Sequence, residues 1–215
     1  MKRIVQTVTI GSLLFLASLA AAQYEAEPFI EGFIGGNFTL PFGYITSDLE
    51  PSSIQATNGI GLELGAGYFF KPQIVGGTFF SVRNMGTDGS GLRHRIFEVG
   101  LYGKYLISDL TAKSFSPYVR VSAGLGFNKL AQAVSDHGQP VLRELSHKPA
   151  LGTEIGVGVH YRTNSYGAIY GEAAYHLDWM SGVKGTYQSV DYPWGDNNGF
   201  LELKAGVLFN IGPKE

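Results

Sequence analysis

The chain has 215 residues, enough for one sizeable domain, and its net charge of -2 gives no reason to expect a nucleic-acid partner. It contains no cysteine, which excludes disulfides, thiolate metal sites and cysteine nucleophiles. It contains 30 Gly, 14 Phe and 12 Tyr, and only 16% of its residues are charged. This composition is typical of a β protein whose surface does not lie wholly in water.

The N-terminus has the pattern of a secretory signal peptide. Lys2 and Arg3 precede an apolar run from Ile10 to Leu19, and small residues follow that run. A basic start, a short apolar run and an A-x-A site predict cleavage between Ala22 and Gln23. The alternative is an N-terminal anchor helix, but the apolar run is short for a membrane-spanning helix.

Eight later segments alternate apolar residues with glycine or charged residues, as expected of strands that separate two different environments. The predicted strands are residues 29–40, 58–70, 73–83, 92–105, 117–129, 149–161, 167–179 and 199–211. They exceed the mean globular strand of ~5–6 residues and reach the ~9–11 residues needed to cross a bilayer at a tilt. The connections between them alternate between long and short, which is typical of transmembrane barrels.

The polar face of these strands distinguishes a lipid-facing barrel from a soluble one. A soluble barrel would carry its apolar face inside and a polar face in water. Here the polar face is mostly glycine, which weakens an exposed strand but fits the crowded interior of a narrow barrel. Aromatic residues on the apolar face form two tiers, and Phe97 and Tyr105 lie about 20 Å apart in height, close to the ~25 Å apolar band. We therefore predict an all-β, eight-stranded antiparallel up-and-down transmembrane barrel.

The whole mature chain resembles the small eight-stranded outer-membrane barrels of Gram-negative bacteria, of the OmpA-like and opacity-like kind. Lys204, Gly206, Phe209 and Ile211 match the C-terminal signal that the barrel assembly machinery reads in such proteins. The resemblance implies three segments, a signal peptide (1–22), a short linker (23–28) and the barrel (29–215). It also implies an integral protein of the cell outer membrane, with both termini in the periplasm and with membrane lipid and the assembly machinery as partners.

Thirteen ionisable residues lie on the predicted inner face. Seven are acids and four are Lys or Arg, so the lumen carries excess negative charge. We predict a network of ion pairs that plugs the lumen, and the alternative is a narrow cation-preferring, porin-like pore. The residues are Glu31, Glu63, Arg83, Glu98, Lys104, Arg120, Glu154, His160, Glu172, His176, Asp178, Glu202 and Lys204.

The predicted function is structural or adhesive, exerted by a monomer through long extracellular loops. The loop from Thr186 to Asn198 is rich in aromatic residues, Asp and Asn, and could bind an extracellular ligand or cover the barrel mouth. We expect no cofactor, no metal and no catalytic residues. The enzymatic alternative is a lipid A-modifying barrel that uses His176, Asp178 and Ser181, but His176 is predicted to face the lumen rather than lipid.

Overall fold

The computed structural model describes residues 30–42, 44–46, 54–87, 92–107, 115–136, 139–147, 149–163, 167–179, 184–187, 190–193 and 198–211. The predicted signal peptide, its cleavage site at Ala22 and Gln23, the linker and Ser181 lie outside the described residues. The described part of the chain contains no helix that is long and apolar enough to cross a membrane.

Twelve strands form in these described residues, and eight of them close into an antiparallel barrel. Around the ring the order is β1, β3, β4, β5, β6, β8, β9 and β12, and β12 then pairs with β1. The predicted eight-stranded barrel is thereby confirmed. The strands are β1 (Ile30–Phe42), β2 (Tyr44–Thr46), β3 (Ile54–Lys71), β4 (Ile74–Thr87), β5 (Leu92–Leu106), β6 (Phe115–Asp136), β7 (Gln139–His147), β8 (Ala150–Arg162), β9 (Gly167–Trp179), β10 (Lys184–Tyr187), β11 (Val190–Pro193) and β12 (Asn198–Ile211).

The first and last strands close the cylinder. Their register runs without interruption from Ile30 opposite Ile211 to Phe42 opposite Gly199. Because both strands are paired on both sides, the barrel has no free edge along them. The start of β1 and the end of β12 share a rim with the tight β3–β4 and β8–β9 turns, which we call the short-turn rim. The opposite end is the long-loop rim.

The connections at the long-loop rim are more ordered than predicted. We expected an irregular loop at residues 130–148, but β6 continues to Asp136 and β7 returns beside it, from Gln139 opposite Asp136 to Ser146 opposite Lys129. β10 and β11 form a further hairpin, and β10 pairs with β7. β4 likewise continues to Thr87 through part of the loop expected at residues 84–91. Alternation fades in this part of the sequence because strands beyond the bilayer need no continuous lipid-facing apolar face. Backbone pairing continues there.

The two faces of the barrel differ as the alternation predicts. Every barrel strand has large apolar side chains on the outer face that are 39% to 68% exposed, and others there, such as Phe97, are half-buried. The outer aromatic residues form two tiers, as predicted. Tyr68, Tyr105, Tyr161 and Phe209 lie toward the short-turn rim, and Phe80, Phe127 and Trp179 lie toward the long-loop rim. Such a belt with aromatic borders is typical of a surface that faces lipid.

Candidate functional site: the charged lumen

The structure places all thirteen predicted ionisable side chains inside the barrel, each 6% exposed or less. We call this set the lumen network. Its members come from all eight barrel strands, because in each strand the inner positions alternate with lipid-facing ones. Charges this deeply buried must be paired, since an unpaired one is costly. The contacts below show how the pairing is arranged from the long-loop rim to the short-turn rim.

Arg83 is the centre of the network near the long-loop rim. Its guanidinium donates Nε–H to Glu202 and Nη1–H to Glu98 Oε2 at 2.6 Å. Its Nη2 lies 3.4 Å from His176 Nδ1 and 3.7 Å from Glu154 Oε2. His176 Nε2 in turn lies 3.0 Å from Asp178 Oδ1. Arg83 therefore cross-links strands β4, β5, β8, β9 and β12 through its partners.

Two further cations hold the middle of the lumen. Lys204 donates to Glu154 Oε1 at 2.6 Å and to Glu63 Oε2 at 3.0 Å. Arg120 donates from Nη1 to Glu63 Oε1 at 2.5 Å and lies 3.6 Å from Glu172 Oε1. Glu63 thus joins the two cations, and Glu154 joins this middle group to Arg83. The ion pairs around Arg83 and those around Lys204 and Arg120 therefore form one connected set.

Lys104 anchors the network near the short-turn rim. It donates to Glu31 Oε1 and lies 3.4 Å from His160 Nε2. Tyr102 also donates its hydroxyl to Glu31 Oε1, at 3.3 Å. The structure therefore brings all thirteen predicted residues into contact with at least one other charged or aromatic lumen group.

Aromatic rings fill the lumen between these charges, a role that the sequence analysis missed. The Arg120 guanidinium lies 5.0 Å from the ring centre of Tyr102, 5.3 Å from Phe33 and 5.5 Å from Phe79. Stacking of this kind stabilises a desolvated cation. Alternation along each strand already assigns these rings to the inner face. Their role in filling the lumen could therefore have been predicted from the sequence.

Inner-face glycines make the space that these rings occupy. A Cβ at Gly67 would lie 2.3 Å from the Tyr102 hydroxyl oxygen, and a Cβ at Gly158 would lie 2.5 Å from the Tyr118 hydroxyl oxygen. Both distances are well inside van der Waals contact. The glycine-rich polar face predicted from the sequence therefore has a packing reason, which is close approach between one strand and an aromatic ring of another.

Apolar side chains close both ends of the charged region. Met85, Ile96 and Phe200 pack together on the long-loop side of Arg83. Leu106 and Tyr118 pack with Phe69 on the other side, next to Lys104. A partly open pocket beside Lys104 and Arg120 has an accessible volume of about 10 Å³, room for about one water molecule. Within the described residues, the lumen is therefore filled rather than open.

His94 adds a third histidine to the barrel interior. It belongs to β5, within the predicted strand at residues 92–105, and is fully buried, with its Nε2 2.9 Å from Asn128 Oδ1. His137 lies outside the described residues, and the backbone of His147 belongs to β7.

The cluster considered for lipid A chemistry faces inward. His176 and Asp178 are both fully buried, and their neighbours are Arg83, Glu98 and Glu154 rather than the lipid-facing surface. Ser181 lies beyond the described end of β9. The structure thus brings His176 and Asp178 together as part of the lumen network.

The four residues of the predicted assembly signal all lie in β12. Lys204 and Gly206 point inward, whereas Phe209 is 51% exposed on the outer face. A Cβ at Gly206 would lie 2.3 Å from the carbonyl oxygen of Ile34 on the neighbouring strand. Gly206 therefore has a packing reason of its own, and recognition by the assembly machinery stays a prediction.

These features define a small outer-membrane-type β-barrel with a filled, charged lumen. Solved structures of similar fold include the outer membrane protein OprG from Pseudomonas aeruginosa, at 11% identity over 88% of this chain and 98% of that chain, with a TM-score of 0.56. The outer membrane protein AlkL in DMPC bilayers is 15% identical over 91% of this chain and 95% of that chain, also with a TM-score of 0.56. The resemblance to small eight-stranded outer-membrane barrels is confirmed at the level of the fold. No family model matches the sequence, and no curated protein sequence matches it.

Proposed function

We propose that this protein is a non-enzymatic barrel of the Gram-negative outer membrane, with a plugged lumen, that acts as a structural and adhesive protein through the strands beyond its long-loop rim. The belt of exposed apolar side chains, bordered by two aromatic tiers, supports a place in lipid. The fold shared with OprG and AlkL supports the outer membrane as that place.

The filled lumen is the observation that carries this proposal. A chain of buried ion pairs occupies the barrel between two apolar layers, and the pocket beside Lys104 and Arg120 has room for about one water molecule. A solute would have to break several buried ion pairs to pass, and breaking each one is strongly unfavourable. If no solute passes through the lumen, the protein must act through its surface outside the membrane.

The strands beyond the barrel provide such a surface. β6 has 22 residues. At ~3.3 Å per residue and ~40° tilt it rises about 55 Å, roughly twice the ~25 Å apolar band. β7, β10 and β11 continue the same sheet at this end. Because β-hairpins at this rim extend well past the lipid, we assign the long-loop rim to the cell exterior and the short-turn rim, where β1 begins and β12 ends, to the periplasm.

Shortening the β6–β7 hairpin tests the adhesive role. In one variant, residues 130–145 are replaced by an Asn-Gly turn between the paired residues Lys129 and Ser146. A second variant keeps the length of this segment but scrambles its order. Cells with equal surface levels of each protein are applied to immobilised extracellular-matrix proteins and to a glycan array. We expect the intact protein to support attachment and both variants to lose it. Attachment that never exceeds that of cells lacking the protein would contradict the adhesive role.

An alternative function is supported by one observation. The lumen network holds seven carboxylates against four Lys and Arg side chains, so any ion path through it would favour cations. A narrow cation-preferring pore needs the apolar layers at both rims to open. Conductance across a planar bilayer distinguishes the two functions, because only a pore would carry an ion current.

A further inference from the structure

We infer that the lumen contains a binding site for one divalent transition-metal cation, formed by Glu154, His176 and Glu202. One ligand atom from each of these three side chains lies within 4.8 Å of the other two. The three residues come from β8, β9 and β12, which are neighbours in the barrel wall. All three are buried, so a bound cation would be shielded from bulk water.

Two of these ligand atoms make no hydrogen bond to any described residue. Glu154 uses Oε1 to accept from Lys204, and Glu202 uses Oε1 to accept from Arg83, while Oε2 of each glutamate is left without a hydrogen bond. The nearest cationic atoms are Arg83 Nη2, 3.7 Å from Glu154 Oε2, and Lys204 Nζ, 3.5 Å from Glu202 Oε2. Buried carboxylate oxygens without a hydrogen-bond donor are costly. A cation between them would supply the missing partner.

The surroundings of His176 suit a metal ligand. Its Nε2 lies 3.0 Å from Asp178 Oδ1. A carboxylate that fixes the far nitrogen of a metal-binding histidine is the usual support for such a ligand. Its Nδ1 lies 3.6 Å from Glu154 Oε2 and 3.4 Å from Arg83 Nη2, so a cation bound to Nδ1 would replace the contact with Arg83.

The spacing suits a first-row divalent cation such as Zn²⁺. Tetrahedral zinc with bonds of ~2.0–2.1 Å places its ligand atoms about 3.3 Å apart. The Nδ1 to Oε2 distance between His176 and Glu154 is already 3.6 Å. The ligand atom of Glu202 lies within 4.8 Å of both, so it must move closer to complete the set. Three protein ligands leave a fourth position for a water molecule. One imidazole and two carboxylates are ligands that zinc and its first-row neighbours accept.

Charge balance favours the same conclusion. The carboxylates of Glu98, Glu154, Asp178 and Glu202 surround the proposed site, and the cations beside them are Arg83 and Lys204. Four negative charges against two positive ones leave an excess that one divalent cation would neutralise. In a low-dielectric lumen this compensation is worth far more than at a surface. The predicted absence of a metal is therefore the part of the sequence analysis from which this inference departs.

Zinc titration of the folded, tag-free chain in detergent tests the site. Because Met85, Ile96 and Phe200 close the lumen above Arg83, Zn²⁺ is added in one sample during folding and in another afterwards. We expect one Zn²⁺ per chain by calorimetry or by metal analysis after gel filtration, and a higher unfolding temperature with zinc. No retained zinc by either route would overturn the inference.

Matched variants locate the bound ion. His176→Asn should abolish zinc retention, and Asp178→Asn should weaken zinc binding about 10- to 100-fold, because it supports the ligand without touching the metal. His160→Asn, a buried lumen histidine at the opposite rim, should leave it unchanged, as should removal of His137 and His147 together. Equal loss in His160→Asn, or full retention in His176→Asn, would overturn the site.

A direct view of the ligands removes any dependence on how the variants fold. Zinc X-ray absorption on the wild-type protein should show one imidazole and oxygen ligands at ~2.0–2.1 Å. A spectrum with no imidazole, or with two or more, would contradict the assignment. Each variant's fold is checked by its migration on a gel before and after boiling.

Discussion

Arg83 is the residue on which most of the lumen pairing depends. Its loss leaves Glu98 and Glu202 buried without their donor. We expect Arg83→Met to lower the free energy of unfolding by about 3–5 kcal/mol, because removing one partner of a buried pair leaves an uncompensated charge. Urea titration of the protein in lipid vesicles measures this free energy of unfolding. Lys71→Met, at the exposed β3–β4 turn, is the control, and an equal small loss in both variants would disprove the importance of the pairing.

The inner glycines give a second prediction for single residues. Gly67→Ala places a Cβ against the Tyr102 ring and should destabilise the barrel by about 1–3 kcal/mol through overpacking. Gly32→Ala is the matched control, since a Cβ there meets nothing within 4 Å. That change should be neutral or stabilise by about 0.4–1 kcal/mol, because it restricts the unfolded chain. Similar unfolding curves for the two variants would contradict the packing role.

His176 also separates the enzymatic alternative from the non-enzymatic barrel. Its side chain is enclosed by charged lumen residues and does not reach the lipid-facing wall. We therefore expect His176→Asn to leave the acylation pattern of lipid A unchanged in mass spectra of cells expressing it. A different acylation pattern from that of cells with the wild-type protein would indicate that the protein modifies lipid A. It would contradict the assignment of the protein as a non-enzymatic barrel.

Strand β12 closes the barrel and carries the predicted assembly signal, and these two roles can be tested separately. Phe209 and Tyr161 are both outward aromatic residues near the short-turn rim with nearly equal exposure, but only Phe209 belongs to the predicted assembly signal. Phe209→Asp and Tyr161→Asp should destabilise the folded barrel to a similar extent in vesicles, since each places an acid in the lipid belt.

The difference should appear in cells. We expect Phe209→Asp to reduce the outer-membrane level of the protein sharply and Tyr161→Asp to reduce it far less, measured by immunoblot of membrane fractions. If the two variants reach the membrane in equal amounts, the assembly role of β12 is wrong.

The strands could be predicted where they face lipid, because lipid requires alternating apolar residues. They were harder to predict beyond the bilayer, where this requirement is absent. Between the two aromatic tiers, every second residue must be apolar, so the eight strands and their faces follow from alternation. The hairpin of β6 and β7 escaped prediction because strands in water need no uniform face, and its residues, such as Pro140, Arg143 and Glu144, show no strict alternation.

The partners within the lumen could not be predicted for a different reason. Alternation assigns a residue to the inside but says nothing of its neighbours across the barrel. Lys204 reaches Glu63, 141 residues away, and Arg83 reaches Glu202, 119 residues away. These meetings depend on the stagger of the strands around the closed ring, which only the register reveals.

The whole molecule should behave as a closed barrel. We expect the folded protein to migrate differently on a detergent gel before and after boiling, because a paired ring without free edges resists unfolding by the detergent at room temperature. The protein should also require detergent or lipid to stay dispersed, since its apolar belt is exposed. Unchanged migration together with solubility in plain buffer would contradict the membrane barrel.

Planar-bilayer recording tests the plugged lumen most directly. Wild-type protein, with its insertion verified by flotation with liposomes, is compared with a known porin reconstituted in the same lipid. Because ion pairs and two apolar layers fill the barrel, we predict no discrete current steps at voltages where the porin conducts. Reproducible steps that select for cations would contradict the plug and establish the barrel as a pore.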